Sequence, residues 1–509
     1  MNSATPLHHD TAPLVLAVVL ACYVGLGALY AWQTPAWQTP DEPAHFNYVQ
    51  YVAEENALPL LQAGDYPHEY LEEIKAARFP ATMSIAPLRY ESHQPPLYYV
   101  LATALYRATA GLTLGGRILI LRLFSVLLGT AALWVLYRLL HESFPWPGFV
   151  SLAAVAFAAT VPMHLAMTAA INNDALAELI LALLLWVAVR TLREGLDRRK
   201  ALLMGLLMGL VLLTKTTIYL VAGGTVLMTA LLADGRKQLA DSKPAATDRA
   251  GLRARVRFLA IVAALALILS VPFFARNARL YGGLDILGWQ RHDSIVAGQL
   301  RTGELITQIG LASFLQRLAL TTFRSFWAQF GWMGVLVDER IYLALAVCCA
   351  VLAAGLAVFL LRLWKRRFTL PAEQRRILLL LGAAAVFTAA TYLGYNYKFV
   401  QHQGRYLFSG MGPLALGAAL GLRAALRRKT ARVLAALLLL ASAVLLMQGI
   451  VAGDVPLWSV GLLLAATAFL TSAGWMVRDP WPLAAILYIA MLVLDWICLF
   501  WFVVPALRI

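Results

Sequence analysis

The sequence predicts an all-α polytopic membrane protein, a bundle of about 13 transmembrane helices. Of its 509 residues, 61% are hydrophobic and only 14% are charged, a composition far more apolar than that of soluble domains. The hydrophobic residues fall in repeated stretches of about 20, the length at which a helix crosses a bilayer. Short basic runs separate these stretches, as expected for loops between spans.

The predicted spans follow one another along the whole chain. They lie near 12–32, 118–140, 149–170, 175–192, 201–215, 217–233, 257–274, 341–362, 376–396, 405–422, 431–450, 456–477 and 481–505. One further apolar segment, Leu97 to Ala110, is shorter and contains Arg107, so we predict an interfacial or re-entrant helix there. If it crossed the membrane, the first loop would change sides.

The basic runs predict the orientation. The net charge is +15, and lysine and arginine collect on the cytoplasmic side of membrane proteins. The runs lie at 193–200, 236–257, 362–376, 423–432 and 478. With the N-terminus inside, all of them face the cytoplasm, and 236–257 is predicted to be a cytoplasmic linker. Because no aromatic and basic surface accompanies the runs, nucleic acid is not an expected partner.

Two long segments, 33–116 and 275–340, are predicted on the outer side. The first holds nine of the 27 acidic residues, and its stretch from Ala44 to Ala57 is predicted to be an amphipathic helix lying on the bilayer. The spans beyond Arg423 carry few polar residues. We therefore predict a working module at 1–425 and a helical scaffold at 426–509. The four cysteines lie in apolar stretches and show neither metal nor disulfide spacing.

Two adjacent carboxylates follow the first span, in Pro40-Asp41-Glu42-Pro43. Charge is unfavourable beside a hydrocarbon core, so acids at this position indicate function. A structural alternative is a helix cap, since Asp favours the N-cap and Pro the first turn.

Other polar clusters are predicted on the same face. They are Glu91-Ser92-His93-Gln94-Pro95-Pro96, Asn172-Asn173-Asp174, and Lys398 with Gln401-His402-Gln403-Gly404-Arg405-Tyr406. Each has a structural alternative: His93 as a surface histidine, Asp174 as an N-cap, and Arg405 as a side chain that extends to the interface. Lys215 is predicted to mark an outer helix end, with phosphate binding as the alternative.

In these motifs the chain resembles the GT-C membrane glycosyltransferases, among them the protein O-mannosyltransferases and the lipid A aminoarabinose transferase. The resemblance covers about residues 10–425. It is carried by Asp41-Glu42, by the stretch from His93 to Tyr99, by Asp174 and by Arg405-Tyr406, in that order along the chain. More narrowly, Pro40 to Tyr48 and Phe326 to Met333 are similar to a bacterial branch without an assigned substrate. The aminoarabinose enzyme has a lysine where this chain has Gln94.

The resemblance implies a GT-C bundle and transfer of a sugar from a polyprenyl-phosphate carrier to an extracytoplasmic acceptor. Asp41 would be the general base of an inverting single displacement, and Glu42 would orient it, hold a metal or bind sugar hydroxyls. The donor phosphate needs a cation, and Arg405, Lys398 and Arg276 are candidates. The other predicted substrate-binding residues are Glu91, His93, Gln94, Asp174 and Gln403.

The sequence assigns no definite cofactor, and Glu91 and His93 leave a divalent metal ion as an alternative. The expected partners are the donor, the acceptor and membrane lipids. We expect a monomer in the inner (plasma) membrane, with its site on the periplasmic face.

Two other functions are alternatives on the sequence. A transporter or flippase of lipid-linked glycans would carry ionisable residues at mid-membrane depth, where Asp495 is the clearest example. A surface-polysaccharide polymerase or ligase would use a large basic outer loop, for which 275–340 would serve.

Overall fold

The computed structural model describes residues 11–144, 148–233, 244–476 and 480–508. Arg478 and the first part of the predicted linker, up to residue 243, lie outside them. In chain order the α-helices are α1 (Ala12–Gln33), α2 (Glu42–Glu55), α3 (His68–Ala76), α4 (Leu97–Ala108), α5 (Leu114–Ser143), α6 (Phe149–Ala159), α7 (Pro162–Thr168), α8 (Asp174–Glu194), α9 (Arg198–Leu212), α10 (Tyr219–Leu232), α11 (Pro244–Tyr281), α12 (Trp289–Ile295), α13 (Thr302–Ile309), α14 (Leu311–Trp327), α15 (Glu339–Trp364), α16 (Ala372–Lys398), α17 (Met411–Ala425), α18 (Arg428–Ala452), α19 (Leu457–Met476), α20 (Trp481–Ile497) and α21 (Val504–Leu507).

Short elements complete the described chain. They are the 3₁₀ turns Tyr90–His93, Thr216–Ile218 and Gly404–Gly410, a π-helical turn at Cys498–Val503, and the strands β1 (Gln329–Phe330) and β2 (Val335–Leu336). The two strands pair antiparallel, with Gln329 opposite Leu336.

The helices confirm the predicted spans. Ten of the described helices are long and apolar enough to cross a membrane, and a bent pair makes eleven. A shorter apolar helical segment, Thr216–Leu232, includes α10 and occupies the predicted crossing at 217–233. The predicted crossing at 201–215 is occupied by α9, which begins with three basic residues. The chain is a multi-pass membrane protein.

The predicted span 149–170 is not one straight helix. It consists of α6 and α7, bent by 68°. Pro162 begins α7, and because proline has no N–H to continue the hydrogen-bond ladder, the helix breaks before it.

The chain ends on the same side as the predicted outer loops. Arg508 contacts the side chain of Gln33 at the end of α1, and Arg78 in the first loop donates to the Arg508 carbonyl oxygen at 3.4 Å. This arrangement needs an odd number of crossings from the start of α1, which agrees with 13. It also agrees with α4 as a 12-residue helix that does not cross. The division at 425/426 stays a prediction.

Candidate functional site

A buried ion pair fixes the segment that carries Asp41. Arg122 of α5 binds Glu42 through two hydrogen bonds, Nε to Oε1 at 2.7 Å and Nη2 to Oε2 at 2.6 Å. The Glu42 side chain is fully buried and that of Arg122 is 2% exposed. The backbone N–H groups of Trp37 and Ile171 also donate to Glu42. This carboxylate is fully occupied as an anchor, so it has no free oxygen for a metal or a sugar.

The Arg122 guanidinium extends the anchor to the end of α1. It donates to the backbone oxygens of Ala31, Thr34 and Pro35 at 2.9, 2.6 and 3.1 Å. The network therefore ties α1, α2, α5 and the segment before α8 together. It holds the loop on both sides of Asp41 in one conformation.

Asp41 occupies the N-cap position of α2, but its side chain makes no cap hydrogen bond. Its backbone is left-handed, with φ at 67°, a conformation that Asp and Asn tolerate better than other non-glycine residues. Instead of capping, Asp41 Oδ2 accepts from Arg405 Nη2 at 2.6 Å and Oδ1 accepts from the Tyr90 hydroxyl at 3.0 Å. The helix-cap alternative therefore does not account for this side chain.

Arg405 is placed by a close backbone contact. It follows Gly404, where a Cβ would lie 2.3 Å from the Phe326 backbone nitrogen. Only glycine lets the 3₁₀ turn approach α14 this closely. The Gly404 N–H also donates to Ser325 Oγ at 2.7 Å. The Arg405 side chain is 9% exposed, so it does not extend to the interface.

A second ion pair lies at the same end of the bundle. Lys215 Nζ is 2.6 Å from Asp174 Oδ1 and donates to Asn173 Oδ1 at 2.9 Å. Asp174 is the first residue of α8, and the N-cap position belongs to Asn173. The N-cap alternative for Asp174 is therefore wrong, because its carboxylate binds a lysine. Lys215 follows the end of α9, as predicted, and its side chain is 12% exposed and ion-paired with Asp174.

Histidine and tyrosine side chains lie between the two ion pairs, Asp41–Arg405 and Asp174–Lys215. His45 Nδ1 lies 2.8 Å from the Tyr99 hydroxyl, and the rings of Tyr99 and Tyr48 stack at 3.7 Å between centroids. Burial lowers the pKa of His45, with Lys215 adding to the effect and Glu91 opposing it. The His45 imidazole is therefore neutral at pH 7.

Asp41 and Glu91, both in the first loop, have opposite pKa shifts. Burial alone would raise the pKa of Asp41, but Arg405 and then His45 outweigh it, so this pKa lies below the ordinary value. Burial raises the pKa of Glu91, with Asp41 adding to the effect and His45 and Lys215 opposing it. Such divergence between neighbouring carboxyl groups is typical of sites that transfer protons.

Buried polar atoms without a protein partner belong to residues of these clusters. They include Arg405 Nε, Gln94 Oε1 and Gln403 Oε1. Because buried polar groups are normally hydrogen-bonded, these atoms are available to a bound ligand. Substrate binding by Gln94 and Gln403 stays a prediction.

The structure does not bring the other predicted cations to Asp41. Arg276 donates to the backbone oxygens of Leu58 and Pro59, each at 2.7 Å. Lys398 forms an ion pair with Asp293 and is half exposed. Of these predicted cations, Arg405 is the one that contacts Asp41, the general-base candidate.

The predicted metal ligands have different charged neighbours. The charged groups that shift the pKa of Glu91 are His45, Asp41 and Lys215, whereas those that shift the pKa of His93 are Asp285 and Asp293. Across residues 11–144, 148–233, 244–476 and 480–508, no three histidine, cysteine or acidic side chains form a group suited to a metal ion. Glu91 and His93 alone do not complete such a site, and a divalent ion stays a prediction.

The pKa of His93 is lowered to about 4, and burial is the main cause. His292, whose ring lies 4.7 Å away between centroids, has its pKa lowered to about 4 by burial and by His93. An unfolded histidine binds a proton below about pH 6.5, while these two remain neutral until about pH 4. The unfolded state thus binds more protons in this window, so stability should fall as the pH decreases through it.

We expect His93→Gln to flatten this pH dependence. The measurement is the thermal unfolding midpoint of the purified protein in detergent at pH 7 and pH 5. His141→Gln is the matched control, because His141 is exposed at the end of α5. An equal drop in midpoint for wild type and His93→Gln would contradict the expectation.

Comparison with known proteins agrees with this architecture. Residues 93–275 match the model of the dolichyl-phosphate-mannose-protein mannosyltransferase family. The structure is similar to ArnT from Cupriavidus metallidurans in the apo state, at 16% sequence identity and a TM-score of 0.50, over 96% of this chain and 76% of that chain. The chain has the fold of the GT-C membrane glycosyltransferases. The predicted fold class is confirmed.

Two further GT-C structures are similar at lower scores. ArnT from Cupriavidus metallidurans bound to undecaprenyl phosphate matches at 15% identity and a TM-score of 0.47, over 97% of this chain and 77% of that chain. The archaeal oligosaccharyltransferase AglB from Archaeoglobus fulgidus, in complex with an inhibitory peptide and a dolichol-phosphate, matches at 13% identity and a TM-score of 0.46. The match covers 95% of this chain and 56% of that chain. No curated protein matches the sequence.

Proposed function

We propose that this protein is a glycosyltransferase that moves a sugar from a polyprenyl-phosphate carrier to an extracytoplasmic acceptor. The observation that carries the proposal is the meeting of Asp41 and Arg405, residues 364 positions apart, with 2.6 Å between their side chains. A carboxylate and a guanidinium at one site are what this transfer needs. The family matched by residues 93–275, named for dolichyl-phosphate-mannose, supports a lipid-phosphate donor.

In the proposed reaction Asp41 accepts the proton of the acceptor hydroxyl as that oxygen attacks the anomeric carbon. The bond from the sugar to the carrier phosphate breaks on the opposite face, so the configuration inverts. Arg405 stabilises the negative charge that develops on the leaving phosphate. Glu42 acts through Arg122 as a positioning residue.

Sugar binding is assigned to the second ion pair and its surroundings. Asp174, Glu91, Gln94 and Gln403 offer oxygen and nitrogen atoms that can bind sugar hydroxyls. The side chain of Asp174 is 36% exposed although it pairs with Lys215, so it remains accessible to a ligand.

The carrier's isoprenoid chain is assigned to an adjoining cavity. A cavity lies against the turn that carries Arg405, and Phe408 and Ser409 of that turn line it. Most of its other lining residues are aliphatic, among them Leu133, Leu136 and Leu181. An apolar cavity wall within one turn of Arg405, the residue proposed to bind the phosphate, suits a lipid phosphate.

The orientation follows from the distribution of charge. Arg193 of the first basic run pairs with Glu373 near the start of α16, at the end of the bundle opposite to Arg405. By the positive-inside rule this basic end faces the cytoplasm. We propose that the site faces the periplasm.

The test is donor turnover by purified protein in proteoliposomes supplied with radiolabelled lipid-linked sugars extracted from the source membranes. We expect release of the polyprenyl phosphate, and Arg405→Ala should raise the donor KM by about 30-fold, as expected for loss of a charge-assisted phosphate contact. Lys398→Ala is the matched control and should change KM by less than about threefold. Donor that is bound and moved across the bilayer but never cleaved would favour a flippase instead.

A further inference from the structure

Asp41 and Arg405, the two central side chains of the site, form an ion pair with each other. Arg405 Nη2 donates to Asp41 Oδ2, and both side chains are mostly buried. The proposed function, on which this inference rests, needs Asp41 free to take a proton and Arg405 free to bind phosphate. Both demands cannot be met while the pair is intact.

We propose that the donor phosphate takes Arg405 away from Asp41, so that the general base is released only when the donor is bound. The exchange changes ionic partners and makes or breaks no covalent bond. It would prevent the site from activating an acceptor before a donor is present.

The geometry favours the phosphate as the better partner. Asp41 accepts from Nη2 alone, while Arg405 Nε is buried without a partner. A phosphate that binds Nε and Nη2 side by side would satisfy both donors, the bidentate arrangement that guanidinium groups prefer. The phosphate thus gains one hydrogen bond that Asp41 does not make.

Asp41 is not left without a partner after the exchange. The Tyr90 hydroxyl still donates to Oδ1 at 3.0 Å. Tyr90 sits in the 3₁₀ turn of the first loop, and its own ring packs edge-on against Tyr66 at 5.5 Å. Tyr90 is therefore the positioning residue that holds the released carboxylate.

The exchange also changes the basicity of Asp41. Arg405 is the main group that holds the pKa of Asp41 below its ordinary value against burial. When the phosphate neutralises that guanidinium, the pKa should rise, because the remaining charges facing Asp41 are mixed in sign. These are Glu91, which raises it, and His45, which lowers it when protonated.

The first test is binding of undecaprenyl phosphate to the purified full chain in detergent, with undecaprenol and inorganic phosphate as separate arms. If Asp41 competes for Arg405, Asp41→Asn should bind undecaprenyl phosphate about tenfold more tightly than wild type, since a neutral amide is a weaker rival for a guanidinium. Glu91→Gln replaces the neighbouring carboxyl group without removing a partner of Arg405, and should gain at most about threefold.

The possible outcomes distinguish failure of the exchange from failure of the proposed function. Equal or weaker binding by Asp41→Asn, with wild type binding normally, would overturn the exchange and leave the proposed function standing. Wild type that binds undecaprenyl phosphate no better than undecaprenol would overturn the proposed function and the exchange with it. Matching tightening by Glu91→Gln and Asp41→Asn would show a general charge effect and also overturn the exchange. Tighter binding of inorganic phosphate by Asp41→Asn would show that the headgroup alone displaces the carboxylate.

The second test uses the pH dependence of turnover. The kcat/KM profile reports the free enzyme and the kcat profile reports the donor-bound enzyme. The acidic limb, where Asp41 gains its proton, should lie at higher pH in kcat than in kcat/KM. Tyr90→Phe should move the kcat limb further up, because the released carboxylate loses its remaining donor. Coincident limbs in the wild type would overturn the proposal.

Discussion

Asp41→Asn should lower the rate of sugar transfer by about a thousandfold, the usual contribution of a positioned general base. Asparagine has the same shape and tolerates the left-handed backbone at this position, so the fold should persist. What is lost is the acceptor for the proton of the attacking hydroxyl. The measurement is the single-turnover rate of the purified variant at saturating donor, together with its thermal unfolding midpoint.

Glu91→Gln is the control that makes this result specific. Glu91 lies near enough to Asp41 for each to affect the other's pKa, and its raised pKa makes it the rival base. We expect Glu91→Gln to keep a rate within about tenfold of wild type if it only binds sugar hydroxyls. A normal rate for Asp41→Asn together with loss of activity in Glu91→Gln would transfer the role of base to Glu91.

Much of the architecture could be predicted because it depends on local hydrophobicity. Spans follow from stretch length, and their order assigns each loop to a side. This is why Asp41, Asp174 and Arg405 were expected at one end of the bundle, where the structure places them. The break at Pro162 is also a local signal, but the length of the apolar stretch concealed it.

The pairings could not be predicted in the same way. Whether Arg405 binds a phosphate or Asp41 depends on how α14 and the turn at Gly404 pack, and no sequence period encodes that contact. The roles of Tyr90 and of Lys215 were missed for this reason. One signal was available: Arg122 lies within a predicted span, and a charge there normally has a buried partner. That reasoning would have indicated Glu42 as an anchor rather than a reactive group.

Arg122→Met should destabilise the protein by about 3–5 kcal/mol, the cost of leaving one member of a buried ion pair without its partner. Glu42 would remain fully buried with only the Trp37 and Ile171 N–H groups. The carbonyl oxygens at the end of α1 would also lose their donor. The measurement is unfolding of the purified protein in mixed micelles, followed by tryptophan fluorescence.

Two variants separate this effect from the loss of any arginine. Arg190→Met removes a partner from an exposed pair with Glu194, in which both side chains are about half exposed, and should cost less than about 1 kcal/mol. Glu42→Met combined with Arg122→Met removes both charges and should restore only part of the stability, because the two backbone N–H groups would lose their acceptor. If Arg122→Met were no less stable than Arg190→Met, Glu42 would not be an anchor. Its carboxylate would then have to be considered again for a direct part in the reaction.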